Sequence, residues 1–134
     1  MMPALIDSNL TESFYIDERG FLYLKISNKN TNYLFTAAEL VEYIDIITKT
    51  CDKKTNTLLI DVRNFLGEVT FQRPCYLLYA KDLKLKSVCK KVVFITNTAK
   101  VNLKIENYIS KYKPKVDTKV FNCLEKAIDY CLTP

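Results

Sequence analysis

The run Thr57-Leu58-Leu59-Ile60-Asp61-Val62 constrains this chain more than any other stretch. Its apolar residues follow one another instead of alternating, and it is bounded by Asp52-Lys53-Lys54-Thr55-Asn56 before and a loop containing Gly67 after. A short apolar run with those flanks reads as a strand buried on both faces, which belongs in the middle of a sheet covered on two sides. Ligand-binding loops tend to leave such a sheet at the carboxyl ends of its strands, so the loop from Arg63 to Thr70 is the first place to look for a site.

The flanking segments supply the rest of the sheet and its covering helices. Phe14-Tyr15-Ile16 and Phe21-Leu22-Tyr23-Leu24-Lys25-Ile26 flank Asp17-Glu18-Arg19-Gly20, whose glycine can take the left-handed backbone of a tight turn, so the chain opens on a β-hairpin. Thr36 and Glu39 have the spacing of a capping box, and Leu40, Val41, Ile44, Ile47 and Cys51 follow on one helical face. A second helix is expected from about Gln72 to Lys86, with Cys75, Leu78, Tyr79 and Leu83 in helical spacing and Pro74 in its first turn. Lys91 to Thr96 reads as a strand. Val101, Ile105, Tyr108, Ile109 and Tyr112 mark a helix that must stop before Pro114. Lys119-Val120-Phe121 reads as a last short strand, and Leu124, Ala127, Ile128 and Cys131 as the stripe of a closing helix capped by Asn122 with Glu125. The expected order is β-β-α-β-α-β-α-β-α, a mixed α/β sheet of about five strands in which helical crossovers imply parallel pairing after the hairpin.

Composition narrows the function classes. One domain of 134 residues is expected, residues 1–134 with a core over about 12–132, because a chain of this length buries enough surface for one core. Histidine is absent, which removes Ser-His-Asp and Cys-His catalytic arrangements and histidine-based zinc sites. The five cysteines, Cys51, Cys75, Cys89, Cys123 and Cys131, form no Cys-x-x-Cys pair and read as reduced, buried thiols. No phosphate-binding Gly-rich motif and no calcium-loop spacing occurs, so neither a metal nor a cofactor is expected. The first residues lack the basic leader of a signal peptide and no run is long enough for a membrane span, so the expected location is the cytoplasm. The net charge is +5, and from Lys81 to Lys119 eleven lysines stand against three acidic residues. Tyr76, Tyr79, Tyr108 and Tyr112 are interleaved with that basic run, a pattern used on single-stranded nucleic acid. They fall on the helical stripes assigned to the core, however, and no specific nucleic-acid partner is expected.

Two loops leave the carboxyl edge of the expected sheet, Arg63 to Thr70 and Asn97 to Lys100. Asp61, Arg63, Asn64, Phe65, Thr70 and Arg73 from the first, with Asn97 and Thr98 from the second, are the candidate residues for a partner or ligand. The short polar groups Thr96, Asn97 and Thr98 near a helix amino terminus favour an anion. A purely structural use is open at each position: Asp61 and Asn64 as loop caps, Thr70 as a helix cap, and Arg63 as the ion-pair partner of Asp61 or Glu68.

The strand exit Leu59-Ile60-Asp61-Val62-Arg63-Asn64 and the ending from Val92 to Tyr130 resemble the SpoIIAA-like, or STAS-type, superfamily. Lys113-Pro114-Lys115-Val116-Asp117-Thr118-Lys119-Val120-Phe121-Asn122-Cys123-Leu124-Glu125-Lys126-Ala127-Ile128-Asp129-Tyr130 is similar to the P-x-x-P-T-x-x-F-x-x-x-E-x-A-x-x-W-L finish of small bacterial members, with Tyr130 at the tryptophan. The resemblance implies a non-enzymatic regulatory domain like the anti-sigma factor antagonists, which bind a kinase-like protein and are switched by phosphorylation after the central strand. The usual Asp-Ser-Ser/Thr-Gly phosphoacceptor is replaced here by Arg63-Asn64-Phe65-Leu66-Gly67-Glu68-Val69-Thr70, in which Thr70 is the nearest hydroxyl and so the candidate phosphoacceptor. Other members bind small molecules, and the apolar Phe65-Leu66 pair in a polar loop keeps a small-ligand or lipid-binding module as the second reading. A homodimer is compatible with both.

Overall fold

In the computed structural model, residues 11–28, 45–65 and 86–134 are described, with residues 11–15, 26–28 and 64–65 described by backbone alone. The expected capping box at Thr36 and Glu39, the helix from Gln72 up to Lys86, and the loop residues Leu66 to Thr70 with Arg73 lie outside the described residues.

β1 (Thr11–Ile16) and β2 (Leu22–Asn28) form the antiparallel hairpin. Its turn is closed by the Asp17 amide on the Phe21 carbonyl and the Gly20 amide on the Asp17 carbonyl, both at 2.8 Å. Gly20 sits at φ 103°, a region in which a side chain is strained. The Asp17 carboxylate holds the turn from inside, accepting from the Arg19 amide at 2.9 Å and from its guanidinium at 2.8 and 3.0 Å.

Three parallel pairings follow. β3 (Thr57–Phe65) pairs with β2, β4 (Lys91–Ile95) with β3, and β5 (Asp117–Phe121) with β4, so the five strands lie in the sheet in chain order and β2 to β5 are all parallel. The mixed α/β class is as expected. Four strands run beyond the sequence pattern: β1 begins at Thr11 and not at Phe14, β2 runs on to Asn28, and β3 and β5 are also extended. β3 continues through Arg63, Asn64 and Phe65: it takes up one extra residue after Asp61, opposite the step from Lys25 to Ser27, and pairing then resumes with Ser27 on Asn64 and Asn28 on Phe65. β5 begins at Asp117, with Asp117 and Lys119 exposed and Thr118 buried, the alternation of an edge strand.

Alternate residues of the central strands face two separate cores. Leu22, Leu24, Leu58, Ile60, Val62, Val92 and Phe94 point to one side, where they meet Ile46 and Ile47 of the helical residues 45–50 and Ile105 and Tyr108 of α1 (Ala99–Tyr112). Phe21, Tyr23, Leu59, Val93 and Ile95 point to the other, covered by Ala127 and Cys131 of α2 (Leu124–Leu132) with Leu124 and Ile128. That double cover is why β3 and β4 read as unbroken apolar runs.

The helix ends show which local signals were used. Thr98 caps α1, its hydroxyl accepting from the Val101 amide at 3.2 Å, and Lys113 ends it in the left-handed region at φ 47° just before Pro114. α2 departs from expectation. Its cap is Cys123, extended and without a side-chain cap bond, while Asn122 lies one residue outside the helix. The pairing of Phe121 with Ile95 holds the strand to that point, and the Ala127 amide then reaches the Cys123 carbonyl at 3.0 Å, so the Asn122 and Glu125 spacing is not used as a capping box.

Candidate functional site

The carboxyl edge of the sheet is built on the register Asp61 to Ile95. Arg63 and Asn97 each lie two residues beyond that pair, so two of the candidate residues leave adjacent strands at the same level. Asp61 itself is buried, 1% exposed, on the α2 face.

Its carboxylate is fully engaged. Oδ1 accepts from the Arg63 amide and from Arg63 Nε, both at 3.0 Å, and Oδ2 accepts from Arg63 Nη2 at 2.8 Å and from the Tyr23 hydroxyl at 2.5 Å. Tyr23 comes from β2, where it pairs with Leu59, and its long side chain leans along the strand toward Asp61 on the same face. Burial pushes the Asp61 carboxyl up, but the hydrogen bonds from Arg63 and Tyr23 outweigh it and hold its pKa below the usual value. Burial and the Asp61 carboxylate together push the Tyr23 hydroxyl well above the usual tyrosine range. A carboxylate held ionised behind four donors, beside a phenol held protonated, has no lone pair aimed outward to take a proton from a substrate. It is a rigid post. The same Asp-x-Arg clamp, with the same three contacts, closes the hairpin turn at Asp17 and Arg19, where no site is expected.

Of the open alternatives for Arg63, the structure shows the ion pair with Asp61, and the guanidinium remains one-third exposed at the mouth of the clamp. Thr98 uses its hydroxyl on the α1 cap. Thr96 is buried, its amide on the Phe121 carbonyl at 2.9 Å and its hydroxyl on Asn102 Oδ1 at 3.3 Å, with Asn102 in turn reaching Glu106 at 3.1 Å. Asn97 is exposed at the turn into α1. The side chains of Asn64 and Phe65, and all of Thr70 and Arg73, lie outside the described residues.

Sequence reasoning missed two residues. Tyr23 sits in a run where every neighbour is apolar, so its hydroxyl carried no contrast, and only the β2 to β3 register places it beside Asp61. Lys91 opens β4 yet is 6% exposed. Its ammonium donates to the Tyr130 carbonyl at 2.8 Å and to the Thr133 carbonyl, and lies 4.8 Å from the centre of the Tyr130 ring. A cation at the last turn of α2 meets the negative end of the helix dipole, sharing the Tyr130 carbonyl with the capping Thr133 amide. Tyr130 is itself fastened to Asp117, and that bond raises its hydroxyl to about 12.

Tyr108 is buried and Tyr112 packs against the same core, so neither ring of α1 is presented to stack on a base. Among the described residues no group of three or more candidate ligands is placed to hold a metal, and no helix is long and apolar enough to cross a membrane. No family model matches the chain, and no curated protein or solved structure matches it.

Proposed function

We propose that this chain is a non-enzymatic, STAS-like regulatory domain of the cytoplasm that binds a protein partner through the carboxyl edge of its sheet, in the manner of anti-sigma factor antagonists but without their usual phosphoacceptor motif. The observation that carries the reading is the saturation of Asp61: the most deeply buried acid of the described chain spends its charge on Arg63 and Tyr23, so that this carboxylate shapes the edge. A sheet that opens on an antiparallel hairpin and continues through parallel strands in chain order also supports it. The small-ligand or lipid reading is the alternative that the test must separate.

Native mass spectrometry of the tagged protein, recovered gently from its own cells, makes that separation. A stoichiometric polypeptide is expected in the wild-type spectrum and absent from Asn97→Arg, which adds bulk and charge at the exposed turn of the same edge. Arg63 is a poor probe because its loss frees a buried carboxylate. Retention of a small molecule, or a polypeptide whose binding ignores Asn97→Arg, overturns the reading.

A further inference from the structure

Cys51 and Cys89 are 38 residues apart in the chain, yet their Sγ atoms lie 3.6 Å from one another. Both are free thiols, 7% and 2% exposed, and both line a groove of about 480 Å³ at the amino-terminal edge of the sheet, away from the Asp61 clamp. The backbone holds them there. Cys51 ends the helical residues 45–50 with its amide on the Ile47 carbonyl at 2.9 Å, and the turn after it is tied by Asp52, which accepts from the Lys54 and Thr55 amides at 2.8 and 2.9 Å. The residue after Cys89 donates its amide to the Asn56 carbonyl at 2.6 Å, strapping the second loop to the first. Lys53, Lys86 and Lys90 line the same groove with Asp52, which gives an anionic small disulfide cations to meet at its mouth.

We propose that Cys51 and Cys89 are a redox-active dithiol that closes to a reversible disulfide by exchange with a low-molecular-weight disulfide entering this groove. The sulfurs must approach by about 1.5 Å to reach bonding distance, a change on the scale of side-chain rotation. Cys51, the more exposed of the two, attacks first. Its thiolate bonds to one sulfur of the small disulfide, whose own S–S bond breaks, and the departing half leaves as a thiolate that takes up the proton Cys51 gave. Cys89 then loses its proton and attacks Cys51 Sγ, breaking the mixed disulfide and releasing the second half as a thiol. Two electrons pass from the protein to the small disulfide, which becomes two thiols. The order agrees with the hydrogen bond between the pair: donation from Cys89 lowers the Cys51 pKa against the effect of burial, and Cys89 is raised by the same bond and by burial. The closed bond ties the end of the helical residues 45–50 to the entry of β4 in a loop that encloses β3.

The test uses the reduced full chain, incubated with glutathione disulfide in its native state, quenched with acid and read by intact mass and peptide mapping. The expected product has lost two hydrogens, joins the Cys51 and Cys89 peptides, reverts with dithiothreitol, and unfolds about 5–10 °C higher than the reduced chain. In Cys89→Ser the reaction stops at a glutathione adduct on Cys51, with no gain in the unfolding temperature. A wild-type chain that stays reduced, carries adducts alone, or joins Cys75, Cys123 or Cys131 in place of this pair overturns the proposal, whether or not the variant folds.

Discussion

Asp61 concentrates the electrostatics of the described chain in one buried carboxylate. Hydrogen bonds to a charged group contribute more than neutral ones, so Tyr23→Phe, which deletes only the donor at 2.5 Å, is expected to cost about 2 kcal/mol in chemical denaturation. Asp61→Asn removes the charge and leaves Arg63 without its partner. Because that guanidinium is one-third exposed and can hydrate, the expected loss is about 2–3 kcal/mol, below that of a fully enclosed pair. The pH dependence has a definite sign. The folded pKa of Asp61 is depressed, so its stabilisation is fully present above the unfolded value of about 3.9 and is lost as pH falls through the folded pKa. The gap in unfolding free energy between wild type and Asp61→Asn should therefore be constant from neutral pH down to about 5 and shrink at more acid pH. A gap that stayed constant into acid would show that the carboxylate is not the group responsible.

At the scale of elements, α2 depends on a contact from outside itself. It has nine residues, lacks a side-chain cap at its start and has no basic residue in its last turn, features that leave a short helix marginal alone. Lys91 of β4 supplies the missing cation at the carboxyl end, and Ala127 and Cys131 supply the buried face. Lys91→Met keeps the length and apolar stem of the side chain while removing its donors, and is expected to cost about 2 kcal/mol, with amide exchange accelerated first in the last turn of α2. Equal acceleration throughout the sheet would place the role of Lys91 in β4 instead. α1 is the contrasting case, capped by Thr98, ended by Lys113 and anchored by Ile105 at 0% exposure. Ile105→Ala is expected to lose about 3 kcal/mol by cavity formation, read as a lower denaturation midpoint.

The molecule as a whole couples its two cores through one sheet. Leu58 and Leu59 are neighbours in β3, both 0% exposed, yet one belongs to the α1 side and the other to the α2 side. Neither layer can be lost without exposing strands that the other layer also needs, so unfolding should be a single transition. Ala127→Leu, overpacking the α2 side alone, is expected to lower the midpoint by an amount equivalent to about 1–3 kcal/mol with an unchanged denaturant slope. Far-ultraviolet dichroism and tyrosine fluorescence should trace the same curve, and a tyrosine transition that ran ahead of the loss of helix would mean that the α2 layer detaches separately.

The sequence by itself determined what depends on local geometry: the hairpin with its glycine turn, the double-faced strand at Thr57, the stripes of α1 and α2, and the stop before Pro114. Periodicity reports the face a side chain takes, because that follows from the dihedral angles of its own segment. The carboxyl edge was legible in part, since strand direction brings Arg63 and Asn97 to one level, but whether Asp61 was a reactive group or a clamp was not. Tyr23 with Asp61, Cys51 with Cys89, and Lys91 with the Tyr130 carbonyl are each separated by 38 or 39 residues. Such pairs depend on strand order, on the register of β2 against β3, and on how each helix lies across the sheet. Those are properties of the packed structure, which periodicity does not carry, and only the tertiary structure decided them.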